Sequence, residues 1–448
     1  MNQNTRHSLR TVSQRIKIVG FMLLFIVFIG NTQLTDQQAY AQGAICADRP
    51  VSERGIPPSS IWVELETYYG EWGEIGPIAK EVTFDFYIAG VLLGELGDSP
   101  DNITNANLPS INGLWADAAL EALAVAVRSF TWFRLNYAGQ FPDPYDPHAI
   151  TLDNTNQCGF WDEKIEGGQQ INAQTFRPYQ DGVSQTIRDH YNVIVTQHVP
   201  NIYMVEGNGT HPIDAQYRAT VGVVSDDGNK PYLIPIHDPI SAGDGNPTNA
   251  SGMGQWGAQR WAMGLSDNGT QYQKWESYQQ ILTHYYTGIH LRDTDGNRIT
   301  PEYRWNAHWI TWYDTGNILP PPMVPGNSYT FYVSMQNTGV FSLTSSTRWA
   351  YQWKTPDGVI VSQGNAVSGN PTLDPGDSMS FGYYLPVQPP TTPGTYHLLI
   401  DIQVQNGQGY EYFYNREPNR PWYPVEYVCV IGNGDDGDIY LPIVMKNS

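Results

Sequence analysis

Near position 320 the chain changes character, and that break constrains the architecture more than any other feature. The run Ile318-Leu319-Pro320-Pro321-Pro322 excludes a regular element through it, because successive prolines remove amide donors and fix φ. Upstream, helical and extended patterns mix. Downstream, short alternating runs at 329–335, 349–354, 359–361, 379–385, 396–404 and 427–431 read as strands. The turn pairs Pro325-Gly326, Asp357-Gly358, Pro375-Gly376 and Pro393-Gly394 separate them. Short strands so closely spaced predict an all-β antiparallel sandwich over 326–431, with 309–325 as the linker before it. Residues 432–448 read as a Gly/Asp spacer and a strand-like tail.

The region 42–308 reads as α+β. Residues 116–135 have the densest helix-former content, with small side chains suited to packing on more than one side. A second helix is expected over 255–263, after the glycine-rich turn Gly252-Met-Gly-Gln-Trp-Gly257. A third, over 276–286, places Tyr278, Ile281, Leu282 and Tyr285 on one face. The alternating runs 193–199 and 202–205 read as strands.

The first residues predict export. Arg6, Arg10, Arg15 and Lys17 precede an apolar run over 18–30, too short for the roughly 20 residues of a spanning helix. Ala39-Tyr40-Ala41 supplies a small-x-small cleavage site, so 1–41 is read as a signal peptide. No later stretch approaches spanning length, so the expectation is a secreted chain with no membrane span after cleavage. Export permits disulfides. With only Cys46, Cys158 and Cys429, at most one internal bridge can form; the sequence does not say which, and Cys46 with Cys158 is the favoured pair.

Charge excludes further classes. Against 24 Lys+Arg stand 44 Asp+Glu, a net −20, without the basic stripes that nucleic acid requires. No P-loop, dinucleotide fingerprint, Gly-x-Ser-x-Gly or CxxC pair occurs, and no cofactor is expected. Cys158 has only His148 in range, below the three protein ligands of a zinc site. Asp293-Thr-Asp-Gly-Asn297 and Asp435-Asp-Gly-Asp438 lack the glycine and closing glutamate of an EF-hand and read as solvated turns.

Four separated segments carry a resemblance. They are Tyr87-Ile-Ala-Gly-Val-Leu-Leu-Gly-Glu95, Ala119-Leu-Glu-Ala-Leu-Ala-Val-Ala-Val-Arg128, and Pro231-Tyr-Leu-Ile-Pro-Ile-His-Asp-Pro239 preceded by Tyr217. The fourth joins Gly252-Met-Gly-Gln-Trp-Gly-Ala258 to Ile281-Leu-Thr-His-Tyr-Tyr-Thr-Gly288. In order and spacing they resemble the SpoIID/LytB family of sporulation and cell-wall proteins over about half the chain. The strands after 326 resemble the Ig-like accessory domains of secreted bacterial wall proteins.

The resemblance implies a peptidoglycan lytic transglycosylase with Glu95 as its catalytic acid and base. One carboxylic acid suffices for that chemistry. The protonated acid donates to the oxygen between N-acetylmuramic acid and N-acetylglucosamine, and the carboxylate then takes a proton from the sugar's own C6 hydroxyl. The 1,6-anhydro product forms without a second carboxylate to position water. The apolar run Val91-Leu92-Leu93 is a setting that keeps such an acid protonated. Arg128, buried among apolar neighbours, is expected to pair with Glu121, orient Glu95 or touch the substrate. Gln255, Trp256 and Tyr285 offer an amide and aromatic rings suited to sugars, and His284 reads as packed rather than catalytic.

The chain departs from the family where Glu121, Leu123, Thr248-Asn-Ala250 and Val221-Gly222-Val223 replace more polar or flexible residues. Those losses motivate two alternatives: a degenerate module that binds glycan or assists a wall amidase, and an adhesion protein. Wall polymers are largely anionic, so an acidic chain has to bind them by stacking and hydrogen bonds rather than by long-range attraction.

Overall fold

The structure, a computed structural model, describes residues 57–65, 78–103, 108–137, a few positions between 158 and 174, 183–219 apart from 208, scattered positions between 230 and 241, 252–300 apart from 273, and 304–432 apart from 314–315, 317–319, 369–371, 407 and 413–424. The expected signal peptide, the tail after 432, Cys46, His148, the side chain of Cys158 and the departures at 221–223 and 248–250 lie outside the described residues.

The α+β part begins with β1 (Ser60–Leu65) and β2 (Ile78–Thr83), an antiparallel pair that β3 (Cys158–Gly159) extends in parallel. Two short strands, β4 (Ile165–Glu166) and β5 (Gln169–Gln170), form a ladder of their own. Its helices are α1 (Phe84–Leu96), α2 (Asp117–Tyr137), α3 (Gln185–Val193), α4 (Gln255–Met263) and α5 (Tyr278–Tyr285). Two more pairs complete it: β6 (Tyr203–Glu206) runs antiparallel to β9 (Ile289–Arg292), and β7 (Tyr217–Arg218) parallel to β8 (Met253–Gly254).

Helix α2 forms the axis of this part. From Ala118 to Val127 every residue except Glu121 is buried, and one core joins α2 to α1, α4 and α5. Alanines let those neighbours approach closely, as the small-residue pattern predicts. Ser129 Oγ donates to Val125 O and accepts from Met204 N, which ties α2 to β6.

The run 193–199, expected as a strand, is helical. Helix α3, capped by Ser184, continues into a wider π turn over Ile194–His198. Ile194, Val195 and Val199 are buried, and alternation of apolar residues over so short a run does not separate a strand from a buried helical segment. The run 202–205 does form a strand, β6.

The β part holds β10 (Trp305–Trp312), β11 (Tyr329–Asn337), β12 (Thr347–Lys354), β13 (Ile360–Ser368), β14 (Ser378–Val387), β15 (Gly394–Asn406), β16 (Gly409–Tyr412) and β17 (Val425–Ile431). One sheet has the order β10-β11-β14; the other runs β13-β12-β15, with β16 and β17 both pairing with β15. All these ladders are antiparallel. Phe331, Val333 and Leu385 of the first sheet share a core with Trp349, Trp353, Ile400 and Ile402 of the second, and Trp305 meets Trp349 edge to face at 4.7 Å. Two antiparallel sheets with a common core are a β-sandwich.

Strand β10 corrects the expected boundary. It occupies part of the 309–325 linker and pairs with β11 from Trp305 to Trp312, so the sandwich begins near Arg304 and the proline run is a connection inside it. Met323, beside that run, is itself buried in the sandwich core. Arg304 is buried and donates to the carbonyls of Ile289 and Thr338, joining β9 to the sandwich. Cys429 is free and buried on β17, and burial pushes its thiol's proton affinity up.

Candidate active site

Glu95 lies in the last turn of α1 and is half-buried. The helix starts at Thr83, whose hydroxyl accepts from Phe86 N at 3.3 Å, and buries Tyr87, Ile88, Val91, Leu92 and Leu96. No basic residue stands in its last turn. Glu95 therefore sits at the partly negative end of the helix dipole, which disfavours a charged carboxylate.

Gln255 reaches Glu95 by a different route. The parallel ladder sets Tyr217 beside Met253 and Arg218 beside Gly254, so that α4 begins next to β7. Met253 N donates to Gln216 O at 3.1 Å and Trp256 N to Ala219 O at 3.0 Å. The approach depends on Gly252, with φ at +74° and a missing Cβ that would strike the Gln216 carbonyl. Gln255, almost fully buried, then points Nε2 at Glu95 Oε2, 3.1 Å away.

Two phenols complete the surroundings. Tyr87 precedes Glu95 by eight residues, close to the same face of α1, and its hydroxyl donates to Gln174 Oε1 at 2.6 Å. Thr131 of α2 donates to the same oxygen at 2.7 Å. Burial first, and the nearby charge of Glu95 second, hold both Tyr87 and Tyr217 protonated far above their ordinary range. Neither Tyr87, Tyr217, Gln174 nor Thr131 stands among the site residues expected from sequence. The signal for Tyr87 is its helical spacing from Glu95; Gln174 lies in a stretch with no pattern that would single it out.

Arg128 and Glu121 occupy other places. Arg128 is completely buried, and its guanidinium donates to the carbonyls of Val199 at 2.8 Å, Ile202 at 3.0 Å and Val195 at 3.4 Å. It thus satisfies the carbonyls where the α3–π segment ends inside the protein. Its carboxylate partner is Asp85 at 3.4 Å, not Glu121. Asp85 stands in the first turn of α1, ten residues before Glu95 and about 15 Å along the helix. Arg128 is therefore placed to hold the fold rather than to touch a ligand. Glu121 pairs instead with His198 of the π turn at 2.8 Å; burial raises its proton affinity, and His198 opposes that.

Tyr285, expected to face sugar, is wholly buried and donates to Asp238 Oδ2 at 2.8 Å. Trp261 Nε1 donates to Asp238 Oδ1 at 2.7 Å. His284 lies against that carboxylate at 3.5 Å, edge-on to Trp261 and Trp275. Burial alone would raise the proton affinity of Asp238, but His284, Tyr285 and Ser241 together bring it below the usual carboxylate range. The packed reading of His284 agrees with this geometry. Trp256 is half-buried against the core beside Gln255, and among the expected ligand residues Gln255 makes a direct hydrogen bond to Glu95.

Among the described residues no group of three His, Cys, Asp or Glu could hold a metal ion. The Asp293 carboxylate accepts from Asp295 N and Asn297 N of its own turn. No described helix is long and apolar enough to cross a membrane. Among the described residues the site offers the Glu95 carboxyl, held by an amide, with neutral phenols beside it.

No family model matches the chain, and no curated protein does. Among solved structures it is similar to the C-terminal domain of Wzt, at 17% identity over 32% of this chain and 87% of that one, with a TM-score of 0.21. It is also similar to the CARDB domain of PF1109 from Pyrococcus furiosus in complex with di-metal ions, at 13% identity over 30% of this chain and 90% of that one, TM-score 0.17. Likenesses this low carry no argument about function.

Proposed function

We propose that the α+β part is a SpoIID/LytB-like domain that cleaves peptidoglycan glycan strands as a lytic transglycosylase, with Glu95 as its acid and base. The observation that supports this reading most is the hydrogen bond from Gln255 to Glu95, because it joins the first and last of the four motifs in one place. With Oε2 accepting from the amide, the protonated acid carries its hydrogen on Oε1. That proton passes to the glycosidic oxygen as the bond to the muramic C1 breaks. The C6 hydroxyl then bonds to C1, and its proton returns to the carboxylate. A carboxyl held at the carbonyl end of a helix suits the first step, which needs the acid neutral.

In this reading the chain is exported and wall-associated, and the sandwich is an Ig-like accessory domain. A second reading has support of its own. Arg128, Glu121 and Tyr285 are spent on internal partners, so a module that only holds glycan or assists a wall amidase would need no more than is present.

The chain without residues 1–41, and its Glu95→Gln variant, would be incubated with peptidoglycan both stripped of stem peptides and intact. Mass spectrometry should find anhydro-sugar ends from the parent alone. Equal release by both proteins would reject the assignment of Glu95. Undiminished binding without release by either would favour the second reading.

A further inference from the structure

The outer face of the three-stranded sheet carries a cluster that the Glu95 site does not use. Tyr332 on β11 lies directly across from Tyr384 on β14, and their rings meet edge to face with centroids 5.1 Å apart. Tyr313, just beyond β10, approaches Tyr384 in the same manner at 6.2 Å. Tyr313 is 71% exposed and Tyr384 55%, the most exposed tyrosines of the described residues. Strand alternation turns these rings outward: Phe331, Val333 and Leu385, the neighbours of Tyr332 and Tyr384 along their strands, fill the core on the other face. The backbone fixes Tyr313 as well, since its N–H donates to Thr330 O at 2.9 Å.

The surroundings of the cluster select its ligand. Thr330 and Ser334 flank Tyr332 on the same face, and Pro386 flanks Tyr384. None of these is charged, in a chain with 68 charged side chains and a net −20. Ring faces and hydroxyls, with neither a cation nor a carboxylate among the side chains just named, suit a neutral partner better than an ionic one. They match pyranose rings, whose C–H faces stack on aromatic rings while their hydroxyls bond to tyrosine, threonine and serine. We propose that this face binds an uncharged β-1,4-linked glycan by stacking on Tyr313, Tyr332 and Tyr384. In such a chain every linkage is equatorial, so each sugar presents an apolar C–H face to the sheet. The site lies on the sandwich and needs no chemistry from Glu95.

The test uses the chain without residues 1–41 carrying Glu95→Gln, so that no probe is consumed, and titrates it calorimetrically with chitohexaose. The added double change Tyr313→Ala/Tyr384→Ala should weaken binding at least about tenfold, as loss of exposed aromatic anchors does. Tyr384→Phe keeps the ring and should stay within about threefold. The parent's affinity should not change between low and high salt, because no charge takes part. Tyr384→Ser serves if the double variant loses its native circular dichroism. Binding by the alanine variant equal to the parent's would overturn the proposal, and so would a parent that does not bind chitohexaose. A dimer that the same alanines dissociate would overturn it too, by marking the face as a contact between copies. Because catalysis is read from product ends and this site from titration, failure of one leaves the other standing.

Discussion

The side-chain amide of Gln255 donates to Oε2 of Glu95 at 3.1 Å, bringing together groups 160 residues apart in the chain. An amide in that place fixes the rotation of the carboxyl and decides which oxygen carries the proton. Gln255→Ala should therefore lower the rate of anhydro-sugar formation by as much as about a hundredfold while peptidoglycan binding changes little. Gln255→Glu places two carboxyls side by side and should move the alkaline limb of the pH–rate profile, where the acid ionises, upward. Initial rates across pH, with pull-down on insoluble peptidoglycan, check both.

Gly257 has its α-carbon against the Tyr285 hydroxyl, Ser241 Oγ and Asp238 Oδ2, where an added Cβ would collide with all three. Gly257→Ala should cost about 1–3 kcal/mol, the usual penalty for overpacking, read as a lower urea midpoint. Gln255 is the first residue of the same helix, so the variant should also lose activity per folded molecule.

Arg128→Met should destabilise the chain by about 3 kcal/mol or more, because it strands the buried carbonyls of Val195, Val199 and Ile202. Arg128→Lys keeps the charge but not the fork, and should fall between. In equilibrium unfolding both variants lose stability. In assays corrected for folded fraction, both retain the parent's rate, since Arg128 stands at the other end of α1 from Glu95.

Stability should fall on the acid side, and two groups set the sign. Burial first, then Arg304, Arg298 and Arg292, lower His290 from 6.5 to about 3. A base lowered in the fold stays neutral there while the unfolded chain takes the proton. Its contribution is complete above pH 6.5 and is lost as the pH falls from 6.5 towards 3. Asp238, held below its usual value of 3.8, adds stability above that pH that is lost below it. The urea midpoint should decline steadily below pH 6.5, and His290→Gln should flatten the upper part of that decline.

Much of this is legible in the sequence. The helix Gln255–Met263 matches its expected span because a glycine-rich turn marks its start and Gly264, in a left-handed conformation, its end. The strands after 326 fall where Pro-Gly and Asp-Gly turns put them. Strand β10 was hidden because it lies on the far side of the proline run, and only its register with β11 reveals it. The π turn was hidden because Val193, Val195 and Val199 stand at alternate positions as in a strand, and the guanidinium that donates to its terminal carbonyls lies on another helix. Asp238 was unreadable as the partner of Tyr285, since 47 residues separate them and the pairing exists only once α4 and α5 have packed. Local pattern conveys elements; which side chain ends the wiring of another is a tertiary fact.

In the proposed reaction Glu95 directs a sugar's own hydroxyl to its anomeric carbon. Digestion of peptidoglycan in heavy-oxygen water, followed by mass spectrometry of the released fragments, tests it most directly. The released 1,6-anhydro ends should carry no heavy oxygen, and they should disappear in Glu95→Gln. Reducing ends labelled from the solvent would contradict it, because water would then be the nucleophile.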